Sequence, residues 1–101
     1  MTDRTKIMPP IHPGETLQED FLKPLGLTAA RLARELSVPA GRIGDIIHGR
    51  QGVTADTALR LGRYFGTTPQ FWMNLQANYD LETAQDERGS EITDITPYRA
   101  A

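Results

Sequence analysis

Arginine is the residue type in this sequence best suited to bind a ligand, and the arginines are unevenly distributed along the chain. Residues 28–64 contain six arginines and three acidic residues, a net charge of +3, although the 101-residue chain has a net charge of −2. A guanidinium group can hold a phosphate or a guanine edge with two parallel hydrogen bonds. The pattern indicates an anion-binding surface, and ordinary scatter of solvated charge is the alternative. The arginines are Arg31, Arg34, Arg42, Arg50, Arg60 and Arg63.

The other polar residues do not indicate catalysis. The two histidines, His12 and His48, are far apart, and no zinc-protease, nucleophile-elbow or phosphate-loop spacing is present. Asp45 and Asp56 lack a third metal ligand at a useful spacing. The chain has no cysteine, a signal-peptide region is missing from its start, and no apolar run approaches the ~18 residues of a membrane span. We therefore expect a cytoplasmic protein with no enzymatic activity, metal or cofactor.

Five predicted helices must position the arginines. Prolines or threonines mark the helix starts, and apolar residues three or four apart mark the buried faces. The result is one all-α domain at 13–87, preceded by a proline-rich extended arm at 1–12 and followed by a tail at 88–101. Within the tail, residues 91–96 are either a short strand or irregular. The helix starts are predicted at Pro13, Thr28, Pro39, Thr54 and Thr67 or Thr68.

The second and third predicted helices have the layout of a helix-turn-helix. Ile43 and Ile46 pack the third helix against the second, which leaves a small, polar face outward. Small residues let a helix lie deep in the major groove, where base edges can be read. Gly41 and Gly44 each cost about 1 kcal/mol in a helix, so either close approach to DNA, close packing on another helix or plain tolerance must explain them.

Arg42 is the natural base reader on that face, because its two parallel donors match guanine. Asp45 could accept from cytosine, but we expect it to orient Arg42 instead. Arg31, Arg50 and Gln51 suit phosphates, as do the backbone amides of a helix capped by Thr28. The predicted DNA-binding set is Thr28, Arg31, Pro39, Ala40, Gly41, Arg42, Gly44, Asp45, His48, Arg50 and Gln51.

The fifth predicted helix carries aromatic residues that suit a dimer interface or a core. We expect a mixture, with Phe71 or Leu75 in the core and Trp72 at the edge of a dimer contact that also includes Tyr79. A dimer follows from DNA recognition, because one helix reads only a few base pairs and two-fold symmetry places a second helix ~34 Å away.

Three segments together resemble the HigA-type antitoxins, a branch of the Xre-type helix-turn-helix group that includes proteins labelled virulence-associated protein I. The segments are Ile11–Glu15, Phe21–Thr28 and Ala58–Leu81, and the resemblance covers roughly residues 9–87. It implies a lambda-repressor-like fold whose recognition helix is Pro39–His48. It also implies a homodimer that binds an inverted repeat in its own operon, and that neutralises a toxin of the HigB/RelE type, an mRNA endonuclease.

Two questions stay open at the level of sequence. The toxin contact could be the acidic segment 65–101, with a net charge of −4, or the arm 4–12 together with the first helix. The acidic segment could equally be a solubilising tail. A stand-alone Xre-type repressor without a toxin is the alternative function, and the gene next to this one would separate the two.

Overall fold

The computed structural model describes residues 9–99, and this part of the chain contains five helices and no strand. Helix α1 covers residues 13–25 in three stretches, α-helical at Pro13–Thr16, π-helical at Leu17–Leu22 and α-helical at Lys23–Leu25. The predicted all-α, five-helix fold is confirmed, and residues 1–8 of the predicted arm lie outside the described residues. The other helices are α2 (Ala29–Leu36), α3 (Ala40–Ile47), α4 (Ala55–Phe65) and α5 (Pro69–Thr93).

Threonine side chains begin three of the helices, as predicted. The Oγ1 atom of Thr28 accepts a hydrogen bond from the Arg31 amide at 3.0 Å. Thr54 and Thr68 do the same at the starts of α4 and α5, accepting from the third residue along at 3.3 and 3.1 Å. Such caps satisfy amides that have no partner inside the helix, and each is worth about 1 kcal/mol.

The wide turns in α1 precede a proline. Pro24 has no amide hydrogen to donate four residues back, so a regular α-helical hydrogen bond is missing there. The Lys23 amide donates five residues back, to the Gln18 carbonyl, which is the π-helical pattern. Helix α1 then ends at Gly26, whose φ of 66° is left-handed.

Trp72 lies at the centre of the aromatic part of the core. It is 0 % exposed, and its indole nitrogen donates to Thr67 Oγ1 at 2.7 Å. The Phe21 ring lies 5.0 Å from it and 4.9 Å from the Phe65 ring, measured between centroids. All five helices contribute to the core, which comprises Leu17, Leu22, Leu32, Ala33, Leu36, Ile43, Ile46, Val53, Ala58, Leu61 and Trp72.

Gly14 allows the start of α1 to lie directly on the end of α3. A Cβ atom at this position would overlap the backbone carbonyl of Ile46. His12 precedes this contact and caps α1, its Nδ1 accepting from the Gly14 amide at 2.9 Å. The His12 ring packs edge-on against Tyr79 of α5, with centroids 4.8 Å apart. Residues 12–14 therefore tie α1, α3 and α5 together.

The last helix extends further along the chain than predicted. Helix α5 continues to Thr93, so the strand alternative for residues 91–96 is wrong and the predicted tail begins inside a helix. Arg88 interrupts the helix with φ −131° and ψ 16°. Residues 80–87 are mostly good helix formers, which explains the continuation without a core to pack on. Leu81 is 69 % and Ile92 is 56 % exposed, so this part of α5 projects from the core.

Candidate nucleic-acid interface

Helices α2 and α3 form the predicted helix-turn-helix around a tight three-residue turn. Ser37 adopts a left-handed conformation with φ 59°, and the Val38 amide donates to the Ala33 carbonyl at 3.0 Å. Pro39 caps α3 in an extended conformation, and its carbonyl accepts from the Arg42 amide at 3.0 Å. Ile43 and Ile46 are buried, which turns the opposite side of α3 outward.

The outward side of α3 is open along its small residues. Ala40 and Gly41 are exposed and Gly44 is half-buried. Apart from adjacent residues and the backbone of α3 itself, a Cβ atom built on Gly41 or Gly44 meets no atom of the described chain within 4 Å. Close packing on another helix is therefore the wrong explanation for these glycines. The open surface is available to a ligand.

Arg42 is held by a residue of α4 and not by its neighbour on α3. Its Nη1 atom lies 3.1 Å from Asp56 Oδ2, and its side chain is 34 % exposed. Asp45 instead binds Arg50, with Nε 3.1 Å from Oδ1. The expectation that Asp45 orients Arg42 is wrong, because the Arg50 and Gln51 amides donate to the Asp45 carbonyl and fold the loop back over Asp45.

Asp56 also binds Arg60, one turn along α4, with Nε 3.0 Å from the same Oδ2 atom. The hydrogen bond from Arg60 holds the pKa of Asp56 below its ordinary value, against the opposing effect of desolvation, and the hydrogen bond from Arg42 lowers this pKa further. Arg60 Nη1 donates to the Leu36 carbonyl at 2.8 Å, at the end of α2. Sequence reasoning missed this network, although the i, i+4 spacing of Asp56 and Arg60 was a visible signal.

The residues predicted to hold phosphates lie at two places. Thr28 and Arg31 are exposed at the start of α2, where Arg31 Nε lies 3.8 Å from Glu35 Oε2. Arg50 and Gln51 are exposed in the loop that follows α3, and Gln51 lines one shallow depression with Arg42. The exposed His48 ring is turned back, with Nδ1 2.8 Å from the Gly44 carbonyl. The structure thus brings Arg42 and Gln51 to one depression.

The predicted dimer residues separate into core and surface. Trp72 is fully buried in its own chain, so its placement at the edge of a dimer contact is wrong. The reason is its position one residue along the helix from Phe71, which turns the indole inward and leaves Phe71 37 % exposed. Leu75 is half-buried against the core, and Tyr79 is half-buried against His12.

No group of three or more histidine, aspartate or glutamate side chains in residues 9–99 could hold a metal ion. Asp45 and Asp56 each bind arginine instead. None of the described helices is long and apolar enough to span a membrane.

Comparison with known proteins shows the family to which the chain belongs. Residues 19–72 match the Helix-turn-helix family, and the chain belongs to it. Virulence-associated protein I of Dichelobacter nodosus is 53 % identical over 83 residues, which cover 82 % of this chain and 77 % of that protein. Antitoxin HigA-1 of Vibrio cholerae serotype O1 is 35 % identical over 89 residues, covering 87 % and 83 %. The chain is a member of the HigA-type antitoxins, which are DNA-binding regulators and not enzymes.

A solved structure supports the same assignment. The Pseudomonas aeruginosa antitoxin HigA, determined with the higBA promoter, is 48 % identical to this chain. The two structures superpose with a TM-score of 0.85 over 89 % of this chain and 99 % of the other. The predicted fold and the predicted family are therefore both confirmed.

Proposed function

We propose that two copies of this chain bind operator DNA by inserting α3 into the major groove, and thereby repress their own operon. The observation that carries the proposal is the open side of α3, where no described residue from another part of the chain covers Gly41 or Gly44. No packing contact among residues 9–99 calls for two glycines in this eight-residue helix. Close approach to a groove would explain them, because it needs small side chains at the contact.

Arg42 has the central role in this proposal. Its guanidinium lies beside the open side of α3, where two of its donors would reach O6 and N7 of a guanine. Arg31, Arg50 and Gln51 flank it and hold phosphates, with the amides at the start of α2 adding a further phosphate contact below Thr28. Pro39, Ala40, Gly41, Gly44, Asp45 and His48 form the rest of the groove-facing surface.

The DNA proposal is tested with a duplex from upstream of the gene and a scrambled duplex, each at several salt concentrations. We expect the operator to bind more tightly, and its affinity to fall steeply with salt as phosphate contacts are screened. Arg42→Ala should lower operator affinity by about tenfold or more, whereas Arg63→Ala, an exposed arginine of α4 outside the proposed set, should not. Equal binding of both duplexes at every salt concentration would refute operator recognition.

The dimer should form through apolar surface that the fold leaves accessible. We place this contact at Phe71, Leu75 and Tyr79 on α5, without Trp72. Phe71 is the most exposed of the three, so Phe71→Asp should shift the protein towards monomer in sedimentation experiments and weaken operator binding. A dimer that is unchanged by Phe71→Asp would place the interface elsewhere.

We also propose that the chain neutralises, in the cytoplasm, a toxin of the HigB/RelE type encoded beside it. Its membership of the HigA-type antitoxins supports this, and the exposed acidic part of α5 offers a surface for a basic partner. Charge-neutralising substitutions of Glu87 and Glu91 should slow association with the toxin. An unchanged association rate would favour the arm 4–12 and α1 as the toxin contact, and the absence of any binding by the neighbouring gene product would leave a stand-alone repressor.

A further inference from the structure

Asp56 lies outside the predicted DNA-binding set, yet it holds the proposed base reader. Its Oδ2 atom accepts from Arg42 Nη1 at 3.1 Å and from Arg60 Nε at 3.0 Å. Asp56 and Arg60 belong to α4, whereas Arg42 belongs to α3. One carboxylate oxygen therefore connects the helix proposed to enter the groove with the helix behind it.

Arg60 extends this connection to α2, because its side chain is bound at two points. Besides its contact with Asp56, Arg60 donates from Nη1 to the Leu36 carbonyl at 2.8 Å. Leu36 is the last residue of α2 and is itself buried. Through Arg60, the carboxylate of Asp56 is connected to the backbone of the helix-turn-helix, even though the Asp56 side chain is more than half exposed.

Arg42 keeps most of its hydrogen-bonding capacity. A guanidinium has five N–H donors. Within residues 9–99, the contact with Asp56 is the one hydrogen bond or ion pair that the Arg42 side chain makes. Anchoring at one nitrogen restricts the rotamers of a long side chain and leaves donors for a bidentate acceptor.

We propose that Asp56 is a positioning residue that sets the direction of Arg42 and so sharpens the base preference of α3 without touching DNA. This inference rests on the proposed function, in which Arg42 reads a base. A carboxylate near a phosphate backbone repels it, so Asp56 does not add to general DNA affinity. Its signature is specific: discrimination between sequences falls when Asp56 is lost, while affinity for unrelated DNA holds or rises.

A double-mutant cycle tests the proposal on the full chain. The four proteins are wild type, Asp56→Ala, Arg42→Ala and the double variant, and the measured quantity is the ratio of operator affinity to scrambled-duplex affinity. We expect Arg42→Ala to lower this ratio by about tenfold or more, and Asp56→Ala to lower it by about three- to tenfold. In the Arg42→Ala background, loss of Asp56 should change the ratio by less than about twofold, because the side chain that it directs is absent.

Two further variants separate positioning from other effects. Asp56→Asn keeps a hydrogen-bond acceptor without the charge and should give an intermediate ratio. Glu19→Ala removes one carboxylate from a comparable i, i+4 pair with Lys23 on α1 and should leave the ratio unchanged. Thermal unfolding of each variant shows whether it is folded at the assay temperature. If Asp56→Ala is unfolded, the comparison is made with Asp56→Asn instead.

The possible failures are distinguishable. If Arg42→Ala leaves the ratio unchanged, the base-reading role in the proposed function is wrong, and the role of Asp56 falls with it. If Arg42→Ala lowers the ratio but Asp56→Ala and Asp56→Asn do not, the base-reading role of Arg42 is supported and the positioning role of Asp56 is overturned. An equal loss with and without Arg42 would also overturn it, because a generally damaged helix α4 behaves that way.

Discussion

Replacing the two open glycines of α3 with alanine should stabilise the protein while weakening its binding to DNA. Beyond adjacent residues and the backbone of α3 itself, a Cβ atom at Gly41 or Gly44 meets no atom of the described chain within 4 Å, so the added methyl group causes no clash. Neither backbone is left-handed, so alanine fits both positions without strain. The unfolded chain loses conformational freedom in each case, which favours the folded state.

The expected magnitude differs between the two positions. Gly44 lies in the middle of α3, where glycine is less favourable than alanine by about 1 kcal/mol. Gly41 is the second residue of the helix, so we expect about half that value there. The double variant should gain about 1.5 kcal/mol, which raises the melting temperature of a domain of this size by about 6–12 °C.

Thermal and urea unfolding measure the stability, and titration with the operator and scrambled duplexes measures the binding. We expect the double variant to lose about tenfold or more in operator affinity, because two methyl groups hold the helix away from the bases. Gly14→Ala is the contrasting variant: its Cβ would overlap the Ile46 carbonyl, so it should lose about 1–3 kcal/mol of stability. A more stable double variant that binds the operator as well as wild type does would refute the groove-approach argument.

Three other substitutions or conditions have defined outcomes. Burial lowers the pKa of His12, against the opposing effects of the Asp80 carboxylate and the Gln51 backbone, so the folded state favours neutral imidazole. The contribution of His12 to the free energy of unfolding, measured by urea titration, should therefore be fully present above the ordinary pKa of 6.5 and decrease as pH falls below it. His12→Asn should remove this pH dependence while keeping a side-chain cap. Trp72→Ala should cost about 3–5 kcal/mol and leave no stable domain near body temperature, and a loss below about 1 kcal/mol would contradict its place in the core. Gln76→Ala removes the acceptor of the Val53 amide, whose distance to Gln76 Oε1 is 2.6 Å, and should cost about 1–3 kcal/mol in urea unfolding, in contrast to an unchanged value for Gln70→Ala on the exposed surface.

The helices were predictable because their signals are local. A threonine cap needs only its own residue and the next three, and Thr28, Thr54 and Thr68 all cap helices in the structure. The isoleucine spacing of α3 is equally local and fixed its inward side. Once that side was assigned, the outward side of the proposed DNA-contacting helix followed.

The ion pairs and the aromatic packing were not predictable, because they depend on where helices meet. Asp45 and Asp56 are both available to Arg42 in the sequence, and the choice of Asp56 is made by the loop folding over Asp45 and by the placement of α4. Neighbouring Phe71 and Trp72 have the same apolar character, and only the rotation of α5 decides which is buried. The length of α5 was missed because its second half has no core to give it an apolar stripe.

The two parts of helix α5 should differ in stability. Its first half holds Trp72 in the core and accepts a hydrogen bond from Val53 through Gln76. The backbone amides of this half should therefore exchange their hydrogens with solvent only when the whole domain unfolds. Its second half, beyond Tyr79, is almost wholly exposed and is interrupted at Arg88, so it should open and exchange by itself, on a much shorter timescale. A protein that binds this half would slow amide exchange there without altering exchange in the core. Hydrogen exchange in residues 80–93 would then report partner binding independently of DNA binding.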